Sequence, residues 1–347
     1  MWPALPVSLI ATTLALAPVR FDREKVFRVR PQDDKQANIV KDLAKSNELD
    51  FWYPDATHHV ATNMTVDFRV SEKESQSIQS ALEQSNVHFV GKRAGRQKAI
   101  FMDCGIHARE WVSPAFCQWF VYQATKSYGK NKIMTKLLDQ MNFYILPVFN
   151  VDGYIWSWTQ NRMWRKNRSR NRNSTCIGTD LNRNFDVSWS SSPNTNNPCL
   201  ETYRGPAPES EKETRAVTAF IRSHLKSIRA YITFHSYSQM LLYPYGYTPR
   251  LPPNHEDLAK VGRIATEALS TRYETRYVYG PIASTIYPTS GSSLDWAYDL
   301  GIKHTFAFEL RDKGKFGFLL PESRIKPTCR ETMLAVKFIA KYILKHT

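Results

Sequence analysis

His107 and Glu110 stand three residues apart in the run His107-Ala108-Arg109-Glu110, and His235 closes an apolar run much later in the chain. A His and a Glu at that spacing in a tight turn can converge on one ion, and a distant His can supply a third ligand. Two imidazoles and a carboxylate with one open position form a catalytic zinc set. Taken alone, His-x-x-Glu is more often the start of a capped helix. Glu309 shifts that balance, because it lies between Phe308 and Leu310, where an unpaired carboxylate is costly. Either it is paired with Arg311 or a lysine, or it stands beside a metal, where a carboxylate can take a proton from water and return it to the leaving amine.

The elements that must position these residues are readable from residue 98 onward. Apolar runs at 98–104, 143–149, 230–235 and 304–310 read as strands. Helical spacing occupies 113–128, 132–141, 210–224, 254–271, 292–300 and 327–346. That alternation is the pattern of an α/β fold, a sheet with helices on its faces, whose binding crevice lies beyond the carboxyl ends of its strands. The candidate residues fall there. Upstream, strand-like 25–30, 51–53 and 65–70 and helix-like 35–49 and 72–85 make a small α+β module of β-α-β-β-α order. The basic stretch 91–98 reads as an exposed linker open to trypsin-like cleavage.

With 347 residues, 42% apolar and 13% aromatic, the chain can bury a large core, and no low-complexity tract argues for disorder. The net charge is +15; residues 101–347 hold 33 Lys and Arg against 20 Asp and Glu, so +13 lies there. Scattered surplus cations or a polyanion-binding surface both fit. Clustering of Arg162, Arg165, Lys166, Arg168, Arg170 and Arg172 favours the second. Residues 1–17 are apolar from Leu5 to Leu16, lack acids and close on Ala15-Leu16-Ala17, as in a secretory signal peptide; the run is too short to span a bilayer. In an oxidising compartment the five cysteines should pair with one left over. Cys104 and Cys117 flank one turn region, Cys176 and Cys199 bound a polar loop, and Cys329 is the candidate free thiol. Sequons stand at Asn63, Asn167 and Asn173.

In order and spacing, His107-Ala-Arg-Glu110-Trp, Asn150-Val-Asp-Gly153, Arg162-Met-Trp-Arg165-Lys, Asp180-Leu-Asn182-Arg183-Asn, His235-Ser-Tyr237, Ile286-Tyr287 and Phe308-Glu309-Leu-Arg resemble the motif series of the pancreatic-type zinc metallocarboxypeptidases. The resemblance implies a mixed central sheet with helices on both faces, preceded by an activation module. It implies one zinc on His107, Glu110 and His235, with Glu309 as general base and acid and Arg165 stabilising the oxyanion. Asn182, Arg183 and Tyr287 match the clamp on the substrate's terminal carboxylate, for which a guanidinium is suited. Arg109, Arg162, Ser236 and Tyr237 match further substrate contacts. Each has a bland alternative: Arg162 and Arg165 as basic surface, Tyr287 as a packed aromatic, Asn182 and Arg183 as solvated loop.

The strip matching the family's side-chain pocket is Leu242, Gly246, Ile282, Thr289, Ser292, Leu294 and Ala307, none charged. Relatives that cut after Lys or Arg place an aspartate where Leu294 stands, so aromatic or bulky aliphatic terminal residues are expected, since a cation desolvated there would lack a partner. The resemblance further implies a secreted or granule-stored monomeric enzyme that acts on peptide and protein C-termini and associates with sulfated proteoglycan such as heparin, with no nucleic-acid partner. Against the family pattern the chain is short by roughly 70–80 residues, in one block between Phe89 and Lys98. The expected division is signal peptide 1–17, truncated activation module 18–90, junction 91–98, and catalytic domain 99–347 without its first helix and edge strands. An enzyme of this type is one expectation. The other is a non-catalytic or misfolded product, at most a basic glycan-binding protein.

Overall fold

The computed structural model describes residues 25–47, 49–54, 56–93, 98–172, 174–191 and 195–347. The expected signal peptide and the sequon at Asn173 lie outside the described residues. The chain divides into two compact units, Met1–Arg96 and Gln97–Thr347.

In the first unit β1 (Lys25–Val29), β2 (Asp50–Tyr53), β3 (Val66–Val70) and β4 (Phe89–Arg93) form an antiparallel sheet in the order β2-β3-β1-β4. Helices α1 (Asp34–Ser46) and α2 (Glu72–Gln84) accompany it. Strand alternation buries Phe27, Val29, Val66, Phe68 and Val70 against Ala37, Val40, Ile78 and Leu82. Asp33 caps α1, and Ser71 caps α2 while its hydroxyl donates to Glu74 Oε2 at 2.7 Å. Gly91, Lys92 and Arg93, expected in a linker, instead pair with Phe27, Val26 and Lys25 of β1. The fourth strand closes the sheet, giving β-α-β-β-α-β order.

The second unit is built on a mixed six-stranded sheet. Its strands are β5 (Lys98–Cys104), β6 (Met141–Leu146), β7 (Ile228–Ser236), β8 (Met240–Tyr243), β9 (Val278–Pro281) and β10 (His304–Leu310), in the order β6-β5-β7-β10-β8-β9. All neighbours are parallel except β10 and β8. Helices α3 (Val112–Ser127), α4 (Lys132–Gln140), α7 (His255–Tyr273) and α10 (Glu322–His346) cover one face; α6 (Lys212–His224) and α9 (Ser293–Asp299) pack on the other. Alternation sorts the strands between two cores: Ile100, Met102, Ile232, Phe234, Phe306 and Phe308 face the first, Ala99, Phe101, Tyr231 and Ala307 the second.

The expected strand at 143–149 is shifted to Met141–Leu146, since Pro147 has no N–H to continue the ladder. Helix α10 begins five residues before Pro327, which lies inside it. Strands β8 and β9 and helices α5 (Val151–Thr159) and α8 (Ile282–Thr285) were not anticipated. With β6 at one edge and β9 at the other, the parallel strands β5, β7 and β10 that carry the chemistry are interior.

Candidate active site

The turn after β5 is sharp because Gly105 takes φ +70°, and a Cβ there would lie 2.9 Å from Pro114 Cγ. It delivers His107 and Glu110 to the carboxyl end of the sheet, where β7 ends on His235 and Ser236. All three candidate ligands are buried, and each can offer one ligand atom within 4.8 Å of the others. His107 Nδ1 is 2.8 Å from Glu110 Oε1; His235 Nδ1 is 3.2 Å from Glu110 Oε2 and 3.2 Å from His107 Nδ1. Among the described residues no other group of this kind occurs. Burial alone would raise the Glu110 carboxyl, but the two imidazoles outweigh it and hold it below the ordinary range. Two inward Nδ1 atoms and a carboxylate, with no fourth protein ligand, fit a catalytic zinc.

Asp180, fully buried, organises the surroundings. Its Oδ1 is 3.1 Å from His107 Nε2 and accepts from the Asn182 amide at 3.0 Å; its Oδ2 accepts from Arg165 Nε at 3.1 Å and Nη2 at 2.8 Å. Both ring nitrogens of His107 face carboxylates, and giving the Nε2 hydrogen to Asp180 is the arrangement that frees Nδ1, the nitrogen facing Glu110, to act as a metal ligand. Arg165 Nη1 lies 3.9 Å from Glu110 Oε1. Burial would lower the guanidinium's pKa, but Asp180 and Glu110 more than offset it, so Arg165 stays cationic. Nothing but its place in the Asp180-Leu-Asn182 motif marked Asp180 in the sequence.

Glu309 is free of the pairing weighed for it. Arg311 donates to both Glu331 oxygens on α10, the Nε contact at 2.6 Å, and to Thr275 Oγ1 at 2.6 Å. Desolvation pushes the Glu309 carboxyl up to about 8, with Glu110 adding to the rise and His235, Arg165 and Arg183 opposing it.

Around this centre the structure brings most of the expected residues together. Asn182 Oδ1 accepts from Ser293 N at 2.9 Å, and the buried Arg183 donates from Nη1 to Asn182 O at 2.8 Å. Tyr287 is 48% exposed and its phenol lies within electrostatic reach of Arg165. Ser236 meets the centre through its backbone N–H, 3.2 Å from Glu110 Oε2, and Tyr237 packs edge-on against Phe318. Arg109 and Arg162 are tied to neighbouring residues. Arg162 donates to the carbonyls of Arg109 at 2.8 Å and Phe318 at 2.5 Å and stacks 3.6 Å over Trp111, while Arg109 lies over Phe318.

The uncharged strip is contiguous. Ala307 pairs with Leu242 across β10 and β8, and both share a core with Ile282 and Leu294. A Cβ on Gly246 would come within 2.8 Å of Thr289 Cγ2 and 3.1 Å of Ile282 Cγ2, so the glycine keeps that space open. Asp295, next to Leu294, was not anticipated. Buried, it accepts from the amides of Gly246 and Tyr247, and desolvation raises its carboxyl to about 7. Ser292 serves as the N-cap of α9.

Two expectations about the basic segment are corrected. Lys166 is buried and donates to Pro198 O at 2.7 Å, and Arg165 is committed to Asp180, so neither belongs to a polyanion surface; Arg170 and Arg172 are exposed. The Asn167 sequon is closed, because its amide is buried and donates to Glu211 Oε2 at 2.7 Å. Cys104 is bonded to Cys117 and Cys176 to Cys199, while Cys329 is free and buried.

The zinc carboxypeptidase profile matches residues 67–335, and the carboxypeptidase activation peptide profile matches residues 27–90. The chain belongs to the zinc carboxypeptidase family. It is 70% identical over 412 residues to mast cell carboxypeptidase A of Homo sapiens, covering 99% of each chain. To carboxypeptidase B of Bos taurus it is 44% identical, covering 97% of this chain and 99% of that one. Its structure matches thrombin activatable fibrinolysis inhibitor (TAFI) with a TM-score of 0.72 at 36% identity, over 94% of this chain and 100% of that one. As a member of the zinc carboxypeptidase family the chain is a metallocarboxypeptidase with zinc as its metal and a zymogen-type activation segment, and the A type fits it. Since 412 exceeds its 347 residues by 65, at least 65 positions of the human relative have no counterpart here. No helix among the described residues is long and apolar enough to cross a membrane.

Proposed function

We propose that the chain is a secreted zinc carboxypeptidase that releases aromatic or bulky aliphatic residues from the C-termini of peptides. The observation that carries the specificity is the strip at Gly246 and Leu294. The acid next to Leu294, Asp295, is engaged by two backbone amides and raised by burial, so it is not a free anion awaiting a Lys or Arg side chain. The higher identity to a carboxypeptidase A than to a carboxypeptidase B points the same way.

His107, Glu110 and His235 would hold the zinc, which when bound supplies a Lewis acid for the scissile carbonyl and an acidified water. Glu309 takes a proton from the attacking water and returns it to the leaving amine as the C–N bond breaks. Arg165, fixed by Asp180, faces the negative charge that develops on the carbonyl oxygen. Arg183, Asn182 and Tyr287 hold the terminal carboxylate, which an internal peptide bond lacks. Arg109, Arg162, Ser236 and Tyr237 line the approach.

The same reading divides the chain into a signal peptide at 1–17, an activation module at 18–90 and a monomeric catalytic domain from 99, with the missing block between Phe89 and Lys98. Secretion, or storage in granules with heparin-like glycan, rests on the N-terminal apolar run and on the +13 over residues 101–347. The missing positions favour a second reading, a product that folds without activity. Hydrolysis of a blocked dipeptide ending in Phe, compared with one ending in Arg and repeated with a chelator, separates the two: chelator-sensitive release of Phe supports the enzyme, and none from zinc-loaded protein supports the second reading.

A further inference from the structure

Strand β7 presents Tyr231, Thr233 and His235 on one face, and the parallel register sets Thr233 opposite Asp103 of β5. Asp103 is fully buried and Thr233 nearly so. Thr233 Oγ1 donates to Asp103 Oδ1 at 2.8 Å and lies 3.2 Å from His235 Nε2. A hydroxyl has one hydrogen. With that hydrogen given to the carboxylate, the contact to His235 must run from Nε2–H to the threonine oxygen. In the neutral ring, the form that can bind a metal, this leaves the lone pair on Nδ1, the atom that faces Glu110 Oε2 and His107 Nδ1.

The arrangement parallels the other histidine with one atom inserted. His107 meets the Asp180 carboxylate directly, at 3.1 Å; His235 meets the Asp103 carboxylate through a hydroxyl. The buried Tyr231 hydroxyl interacts with the Asp103 carboxyl, yet neither it nor Asp103 Oδ2 makes a hydrogen bond of ordinary geometry, so burying this acid between β5 and β7 is costly and calls for a compensating role. Stitching the two strands is no such role, because their backbones already pair from Ala99 to Cys104.

We infer that Asp103, acting through the Thr233 hydroxyl, is a positioning residue that fixes the ring and tautomer of His235 for metal binding. The inference rests on the reading of His235 as a zinc ligand. Outer partners of metal-binding histidines typically contribute 10- to 100-fold in affinity.

The test titrates the zinc-loaded full chain with a competing chelator and records the thermal midpoint of the metal-free chain. Thr233→Val keeps the side chain's shape and removes the hydroxyl; Thr233→Ser restores it. The expected result is a loss of about 10- to 100-fold in zinc affinity for Thr233→Val and for Asp103→Asn, with Thr233→Ser near wild type. Should Thr233→Val fail to fold, Thr233→Ala and Asp103→Asn are judged by the same criterion. Wild-type zinc affinity in these variants, with only the metal-free midpoint lowered, overturns the inference. His235→Ala distinguishes the two layers: if it too retains zinc, the ligand assignment itself has failed.

Discussion

Glu309 lies directly opposite His235 in the parallel pairing of β10 with β7. Opposed residues in adjacent strands point to the same face, so the register alone sets a carboxylate beside a candidate ligand. The face is the one that also holds Thr233 and Ala307. No hydrogen bond to the Glu309 side chain is needed to hold it there, which leaves the carboxylate available to water.

Glu309→Gln is therefore expected to keep zinc and to lose turnover by about 100- to 10,000-fold, because an amide of the same shape cannot accept the proton. Zinc content and kcat on a blocked Phe dipeptide check this. Substantial residual hydrolysis with full zinc would assign the base elsewhere.

The ligand spacing of His107 and Glu110 and the apolar runs of β5, β7 and β10 were legible because period and burial coincide there. The register was not, since which residues face one another depends on how the strands align across the long helical connections between them. Helix α5 escaped notice because Val151, Ile155 and Trp158 stay exposed while Gly153 and Ser157 are buried, the reverse of the amphipathic pattern. Strands β8 and β9, of four residues each, are too short to show a period. Lys166 looked like surface because a charge run normally is; only the fold shows the Pro198 carbonyl waiting for it.

Specificity can be turned at Leu294. Leu294→Asp places an unpaired anion in the strip, so release of terminal Arg or Lys should rise relative to Phe by on the order of 100-fold. The ratio of kcat/KM for the two blocked dipeptides is the readout, with the thermal midpoint as a control for folding. An unchanged ratio in a folded variant would mean that Leu294 does not face the substrate side chain.

Heparin retention should separate the basic residues by exposure. Neutralising Arg168, Arg170 and Arg172 together is expected to lower the eluting salt more than three neutralisations elsewhere on residues 101–347, since a local patch concentrates counterion release. Equal shifts would leave only the net charge as the cause. Lys166→Met should instead lower the thermal midpoint, because it removes the buried ammonium's hydrogen bond to the Pro198 carbonyl, while leaving the eluting salt almost unchanged.

The most direct measurement is hydrolysis of a blocked dipeptide ending in Phe by the purified, activated chain, with zinc, after chelation and after zinc is restored. A zinc carboxypeptidase built on His107, Glu110 and His235 should release Phe, stop on chelation and recover with zinc, while His235→Ala neither retains stoichiometric zinc nor recovers. Release of Phe that survives both chelation and His235→Ala, or no release from fully zinc-loaded protein, would contradict it.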